Sequence, residues 1–109
     1  MPRHRIILDC DPGVDDAVAM LLAFGSPDEV ELTGITTVVG NVSLEATTHN
    51  ALRICHLAGR RDIPVLRGCD RPLLPIPPRS ASVHGTDGLG DIGLESANFG
   101  HSALSCRLK

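Results

Sequence analysis

The chain has 109 residues, of which 42% are apolar and 2% aromatic, and a formal net charge of -3. That length suits one small domain, which buries only about two-thirds of its unfolded surface. The acidic balance, with no basic tract, argues against nucleic acid as a partner, and no apolar run approaches the roughly 20 residues of a membrane-spanning helix.

Arg5 to Leu8 is a short apolar run ending in Asp9-Cys10-Asp11. Apolar residues on both faces predict a buried, central parallel strand. The run follows a basic start, but Asp9 and Asp11 interrupt it too early for a signal-peptide core. Cys10, Cys55, Cys69 and Cys106 form no CxxC pair and fit no zinc ligand set. Free thiols in a reducing cytoplasm are therefore expected.

Pro12-Gly13 breaks the first strand. Asp15 or Asp16 is expected to cap a helix running from Ala17 to Ala23, which Gly25-Ser26-Pro27 stops. Leu32 to Val39, rich in Thr, Val and Ile, predicts the second strand. Ser43 is a good cap for a second helix, whose Leu44, Ala51, Leu52, Cys55 and Ala58 recur at helical spacing. Gly59 closes it, and Ile63 to Leu66 predicts a third strand. Strand, helix, strand, helix, strand is the start of an α/β fold with an open parallel sheet. Beyond Gly68, Pro72, Pro75, Pro77 and Pro78 crowd one segment, and Gly85, Gly88, Gly90 and Gly93 the next. These predict a long loop. The tail from Glu95 to Lys109 shows no clear period.

The chemistry concentrates in Asp9-Cys10-Asp11-Pro12-Gly13-Val14-Asp15-Asp16, four carboxylates within eight residues. Asp9 and Asp11, two apart on a strand, are expected on one side. They fall at the carboxyl end of the strand, where open α/β sheets place ligands. Carboxylates brought together repel unless a cation joins them, and oxygen-only donors favour calcium or magnesium. One or two of these acids could instead serve the helix start alone. An EF-hand loop counted from Asp9 fails, because its sixth and twelfth positions hold Val14 and Met20 rather than Gly and Glu. A magnesium-dependent phosphatase of the haloacid-dehalogenase type, with Asp9 as nucleophile, is an alternative. Gly13 stands there where Thr or Val is usual.

Asp9, Asp11, Gly13, Asp15 and Asp16 lie in the Asp-x-Asp-x-Gly-x-Asp-Asp pattern. Ile35-Thr36-Thr37-Val38-Val39-Gly40-Asn41 follows, then Gly68-Cys69-Asp70-Arg71-Pro72-Leu73 and His84-Gly85-Thr86-Asp87-Gly88-Leu89-Gly90. In order and spacing these resemble the nucleoside hydrolase family of the inosine-uridine preferring type, over roughly residues 4 to 94. The resemblance implies a Rossmann-like nucleoside hydrolase fold and hydrolysis of purine and pyrimidine ribonucleosides to base and ribose, in nucleoside catabolism or purine salvage. It implies Ca2+ as cofactor, held by Asp11 and Asp16, with Asp11 also the base acting on a calcium-bound water. Asp15 would hold ribose hydroxyls, Asn41 and His84 would line the substrate pocket, and Asp9 would support the cluster from behind. The substrate is a small-molecule nucleoside, no membrane is involved, and full-length members are expected to be cytoplasmic homo-oligomers.

Family members are much longer. The resemblance therefore implies the amino-terminal part of the enzyme: residues 1–94 from the hydrolase domain, cut short after about three strands, and 95–109 a divergent, disordered tail. Such a piece is expected to be inactive alone. A metal-binding fragment without turnover is the non-enzyme alternative.

Overall fold

The computed structural model describes residues 2–75, 83–94 and 104–105. Strand β1 spans His4–Cys10, helix α1 Val14–Phe24, strand β2 Val30–Thr37, helix α2 Leu44–Leu57, strand β3 Val65–Arg67 and strand β4 Leu104–Ser105. The strands form one parallel sheet in the order β1-β2-β3-β4. This is the expected α/β architecture, with a two-residue fourth strand added at its far edge. The rest of the tail, where disorder was expected, lies outside the described residues. No described helix is long and apolar enough to cross a membrane.

Helices α1 and α2 touch each other, and both touch β2. Crossovers of one hand between successive strands place both on one face of the sheet. That face holds the core: Met20, Leu32, Ile35, Ala51, Ile54, Cys55, Ile63, Val65 and Leu89 are all buried. Ile6, Leu8 and Cys10 of β1 pack against it from the side.

A bulge in β2 keeps this face apolar. Ile6 pairs with Leu32, but Ile7 pairs with Gly34, so Thr33 is an extra residue. Without it, Leu32 and Ile35, three apart, would point to opposite faces. Thr33 Oγ1 donates to the Ile6 carbonyl at 2.9 Å, so the bulge is also hydrogen-bonded to β1.

Three expectations need correction. β1 is an edge strand and not a central one, with Ile7 64% exposed. Its apolar residues do occupy both faces, but the helices cover only one. β2 begins and ends two residues before the expected Leu32 to Val39. Val30 and Glu31 already pair with His4 and Arg5. At the other end the Val38 N–H turns to the Cys10 carbonyl at 3.1 Å and the chain departs toward Asn41. Finally, Gly13, not Asp15 or Asp16, is the N-cap of α1, and both acids sit inside the first turn. Ser43 does cap α2, its Oγ accepting from the Ala46 N–H at 3.2 Å.

The described part of the glycine-rich loop is folded. Asp91 accepts hydrogen bonds from Thr86 N–H, Thr86 Oγ1 and Asp87 N–H, and Asp87 Oδ1 accepts from the Leu89 and Asp91 N–H groups. Asn50, 1% exposed on α2, donates Nδ2 to the Asp87 carbonyl at 2.7 Å and to the Pro12 carbonyl at 3.3 Å. One side chain thus holds both the glycine-rich loop and the turn after β1 against α2.

Candidate active site

Asp11 follows directly on β1, at the carboxyl end of the sheet. Its Oδ2 accepts the Asn41 N–H at 2.9 Å, and Asn41 Nδ2 donates back to the Asp11 carbonyl at 3.2 Å. The Asp11 N–H donates to Asp16 Oδ2 at 3.2 Å. The loops after β1 and after β2 are thereby fastened to each other around one carboxylate. Two glycines make the approach possible. A Cβ at Gly40 would collide with the Asp11 carboxylate, and one at Gly13 would lie 2.7 Å from His84 Nδ1 and 2.8 Å from Asn41 Nδ2.

Asp15 and Asp16 occupy the first turn of α1, where the helix dipole favours negative charge. That help does not cancel crowding. Burial, and then the charges of Asp15 and Asp11, raise the Asp16 carboxyl above its ordinary value, against the Asp11 N–H that lowers it. Burial and the neighbouring Asp16, Asp9 and Asp11 push the Cys10 thiol up to about 12. Neighbouring carboxylates thus add to burial at both Asp16 and Cys10. Two hard carboxylates whose mutual repulsion would fall with a positive ion between them suit a divalent cation. Among the described residues, no three or more His, Cys, Asp or Glu side chains converge as a ligand set.

His84 arrives from the glycine-rich loop. Its Nδ1 accepts the Val14 N–H at 3.1 Å, one of the donors left unpaired at a helix start. This interaction uses the tautomer protonated at Nε2. The same nitrogen lies 3.9 Å from Asp15 Oδ1, and the Asp15 side chain is 77% exposed. Asp9 is exposed and accepts from Thr36 Oγ1 at 2.6 Å.

The structure thus brings together Asp11, Asp16 and Asn41 by direct hydrogen bonds, and Asp15 and His84 at the rim beside them. Asp9 is engaged separately, by Thr36. A groove of about 680 Å³ beside α2, lined by His49, Arg53, Arg67 and Asp87 among others, includes no member of the acidic cluster. Sequence reasoning passed over Asn50 and the Thr36 hydroxyl. Asn50 had a visible signal, since a polar residue on the apolar side of an amphipathic helix needs a buried partner.

An open parallel α/β sheet with an acidic turn at its carboxyl edge is where α/β domains bind their ligands. The family described as inosine-uridine preferring nucleoside hydrolase matches residues 6–105, and the chain belongs to it. It is 52% identical over 92 residues to an inosine-uridine preferring nucleoside hydrolase of Leishmania major, which covers 84% of this chain and 29% of that protein. It is 50% identical over 93 residues to uridine nucleosidase 1 of Arabidopsis thaliana, covering 84% of this chain and 27% of the relative. Among solved structures, a plant nucleoside hydrolase superposes with a TM-score of 0.83 at 38% identity, over 95% of this chain and 33% of that one. The chain therefore spans about a third or less of the length of these relatives. The family match runs to residue 105, beyond the last of the quoted motifs. The phosphatase alternative is superseded by this membership.

Proposed function

We propose that these residues form the acidic part of a site that hydrolyses the N-glycosidic bond of purine and pyrimidine ribonucleosides, giving free base and ribose. The observation that carries the reading is the Asp11 carboxylate, fixed by the Asn41 N–H and set against Asp16 at the sheet's carboxyl end, in a chain of this family.

Asp11 is the general base. One of its oxygens is held by Asn41, which leaves the carboxylate oriented to take a proton from an attacking water. Asp15, largely exposed at the rim, accepts hydrogen bonds from ribose hydroxyls. Asn41 keeps the Asp11 carboxylate in place and borders the ribose. His84, anchored on the first N–H of α1, closes the pocket beside Asp15. Asp9 is a positioning residue that ties β1 to β2 through Thr36. Asp11 and Asp16 would hold calcium, whose chemistry is to polarise water and offset the negative charge gathered here. Two carboxylates are only part of the six to eight oxygens that calcium takes. Free Cys10, Cys55 and Cys69 suit the reducing cytoplasm expected for the protein.

Two measurements test this. Titration calorimetry should show weak calcium binding by the chain and none by Asp11→Ala; equal binding by both would sink the metal assignment. The segment should also replace its counterpart in a full-length family member with turnover retained. Asp11→Asn in that chimera should lower kcat by about 10²–10⁴-fold, and near-normal turnover would remove Asp11 from its role as base.

A further inference from the structure

Buried behind the acidic turn, the Asn50 amide on α2 bonds to two segments that meet at the site. Its Nδ2, with two hydrogens to give, donates to the Asp87 carbonyl at 2.7 Å and to the Pro12 carbonyl at 3.3 Å. The first backbone bond of α1 runs from the Ala17 N–H to the Gly13 carbonyl, one residue later, so Asn50 supplies Pro12 with a donor that the helix does not. The glycine-rich loop rests directly on this amide. A Cβ at Gly88, whose φ is +86°, would lie 3.0 Å from Asn50 Nδ2. Inside the loop the Gly90 N–H donates to the His84 carbonyl at 2.7 Å, so His84 moves with the loop. His84 then reaches the Val14 N–H on the acidic turn, over a Gly13 that has no room for a Cβ. The seat of His84 therefore depends on a spacing that Asn50 sets from behind. One turn earlier, Thr47 Oγ1 donates to the Val38 carbonyl at 2.9 Å, where the chain sets out toward Asn41. Three residues apart on a helix, Thr47 and Asn50 share a face.

We infer that Asn50 is a positioning residue for nucleoside binding: it sets the glycine-rich loop, and His84 with it, against the acidic turn that carries Asp15. This rests on the proposed function, in which Asp15 and His84 form the ribose side of the pocket. The division of labour follows from which ties pass through Asn50. Asp11 is held by the Asn41 N–H and bonded through its own N–H to Asp16, and neither contact involves Asn50. The rim formed by Asp15 and His84 has Asn50 behind both of its halves. Loss of the amide therefore loosens the grip on the nucleoside and leaves the base in place.

The test is steady-state kinetics on inosine and uridine in the full-length chimera. Asn50→Ala should raise KM about tenfold, with kcat within about twofold of the parent, because uniform binding is lost and the chemical step is not. Asn50→Leu keeps the bulk without the donors and should raise KM likewise. It also decides the matter should Asn50→Ala fail to fold. Thr48→Val removes the buried bond to Thr37 from the same helix without touching either loop, and should keep the parent KM. An unchanged KM in the Asn50 variants overturns the inference, as does a fall in kcat alone. So does a KM rise in Thr48→Val equal to theirs, which would reduce Asn50 to general support of the fold. Asp11→Asn in the same chimera keeps the two claims apart. If it retains turnover, the hydrolase reading fails and takes this role with it. If it loses turnover while the Asn50 variants behave as the parent, only the role of Asn50 fails.

Discussion

Asp16 is the residue where stability and function pull apart. Its carboxyl lies above the ordinary value of 3.8 because burial and the charges of Asp15 and Asp11 disfavour ionisation. A carboxyl raised on folding costs stability once the pH exceeds its unfolded value, since the ionised form is then better solvated in the unfolded chain. The helix dipole opposes this, but Asp15 in the same turn already serves it. Asp16→Asn keeps an oxygen for the Asp11 N–H and removes the charge. In chelator at pH 7 the variant should be more stable than wild type, by on the order of 0.5 kcal/mol in urea unfolding. In excess calcium the order should reverse, because a bound ion stabilises only a chain that can hold it. A variant less stable than wild type in chelator would show that the crowding is not felt. At this scale the sequence was informative about which acids meet, since spacing on a strand-turn-helix path limits where Asp11 and Asp16 can go. It was silent on their partners. Nothing local marks Asn41, 30 positions from Asp11, as donor to its carboxylate, and the cap at Gly13 is supplied in part by His84, 70 positions from Val14.

Among the elements, α2 does more than cover the sheet. Its apolar side was legible from the spacing of Leu44, Ala51 and Cys55, all buried, and its start from Ser43. Hidden in that same face is a polar seam. Thr37 and Thr48 share a buried hydrogen bond at 2.8 Å, Thr47 Oγ1 donates to the Val38 carbonyl, and Asn50 bonds to two loops. Helical periodicity scores such residues as surface, because it ranks side chains by polarity and cannot see carbonyls brought up by other segments. Replacing Asn50 by Ala strips donors from the Pro12 and Asp87 carbonyls, a loss of about 1–3 kcal/mol. Both affected segments border the acidic cluster. Hydrogen exchange should therefore quicken at the amides that Asp87 and Asp91 hold, those of Thr86, Asp87, Leu89 and Asp91, while Ile54, buried in the last turn of α2, stays protected. Uniform loss of protection would mean that Asn50 supports only global stability. The edge position of β1 is the element-level feature least visible in sequence, since Ile6, Ile7 and Leu8 read the same whether one or two faces are covered.

For the whole molecule, the question is how much of a hydrolase 109 residues make. The chain corresponds to 29% of its Leishmania major relative, yet it holds the acids that would ionise water and bind ribose. Catalytic groups that act on one transition state multiply their effects, so a partial set is far weaker than its share suggests. On the proposed reading the Asp11–Asp16 pair would supply only a fraction of a calcium shell, so the ion would be weakly held, and a base alone contributes only about 10²–10⁴-fold. Asp15 lies 77% exposed, where water would screen the proposed hold on a ribose hydroxyl and any charge opposed to a developing cation. None of Asp9, Asp11, Asp15 or Asp16 can protonate a departing base while ionised. His84 accepts the Val14 N–H at Nδ1, which commits that nitrogen to the helix start. The 109-residue chain by itself should therefore release no ribose from inosine or uridine above an Asp11→Ala control, in a reducing-sugar assay with excess calcium. The chimera with a full-length relative separates this from a wrong assignment of the site: there the same residues should work. Ribose release by the short chain, abolished by Asp11→Ala, would show that the acidic turn and its two helices suffice for catalysis and that the shell and pocket count for less than their geometry implies.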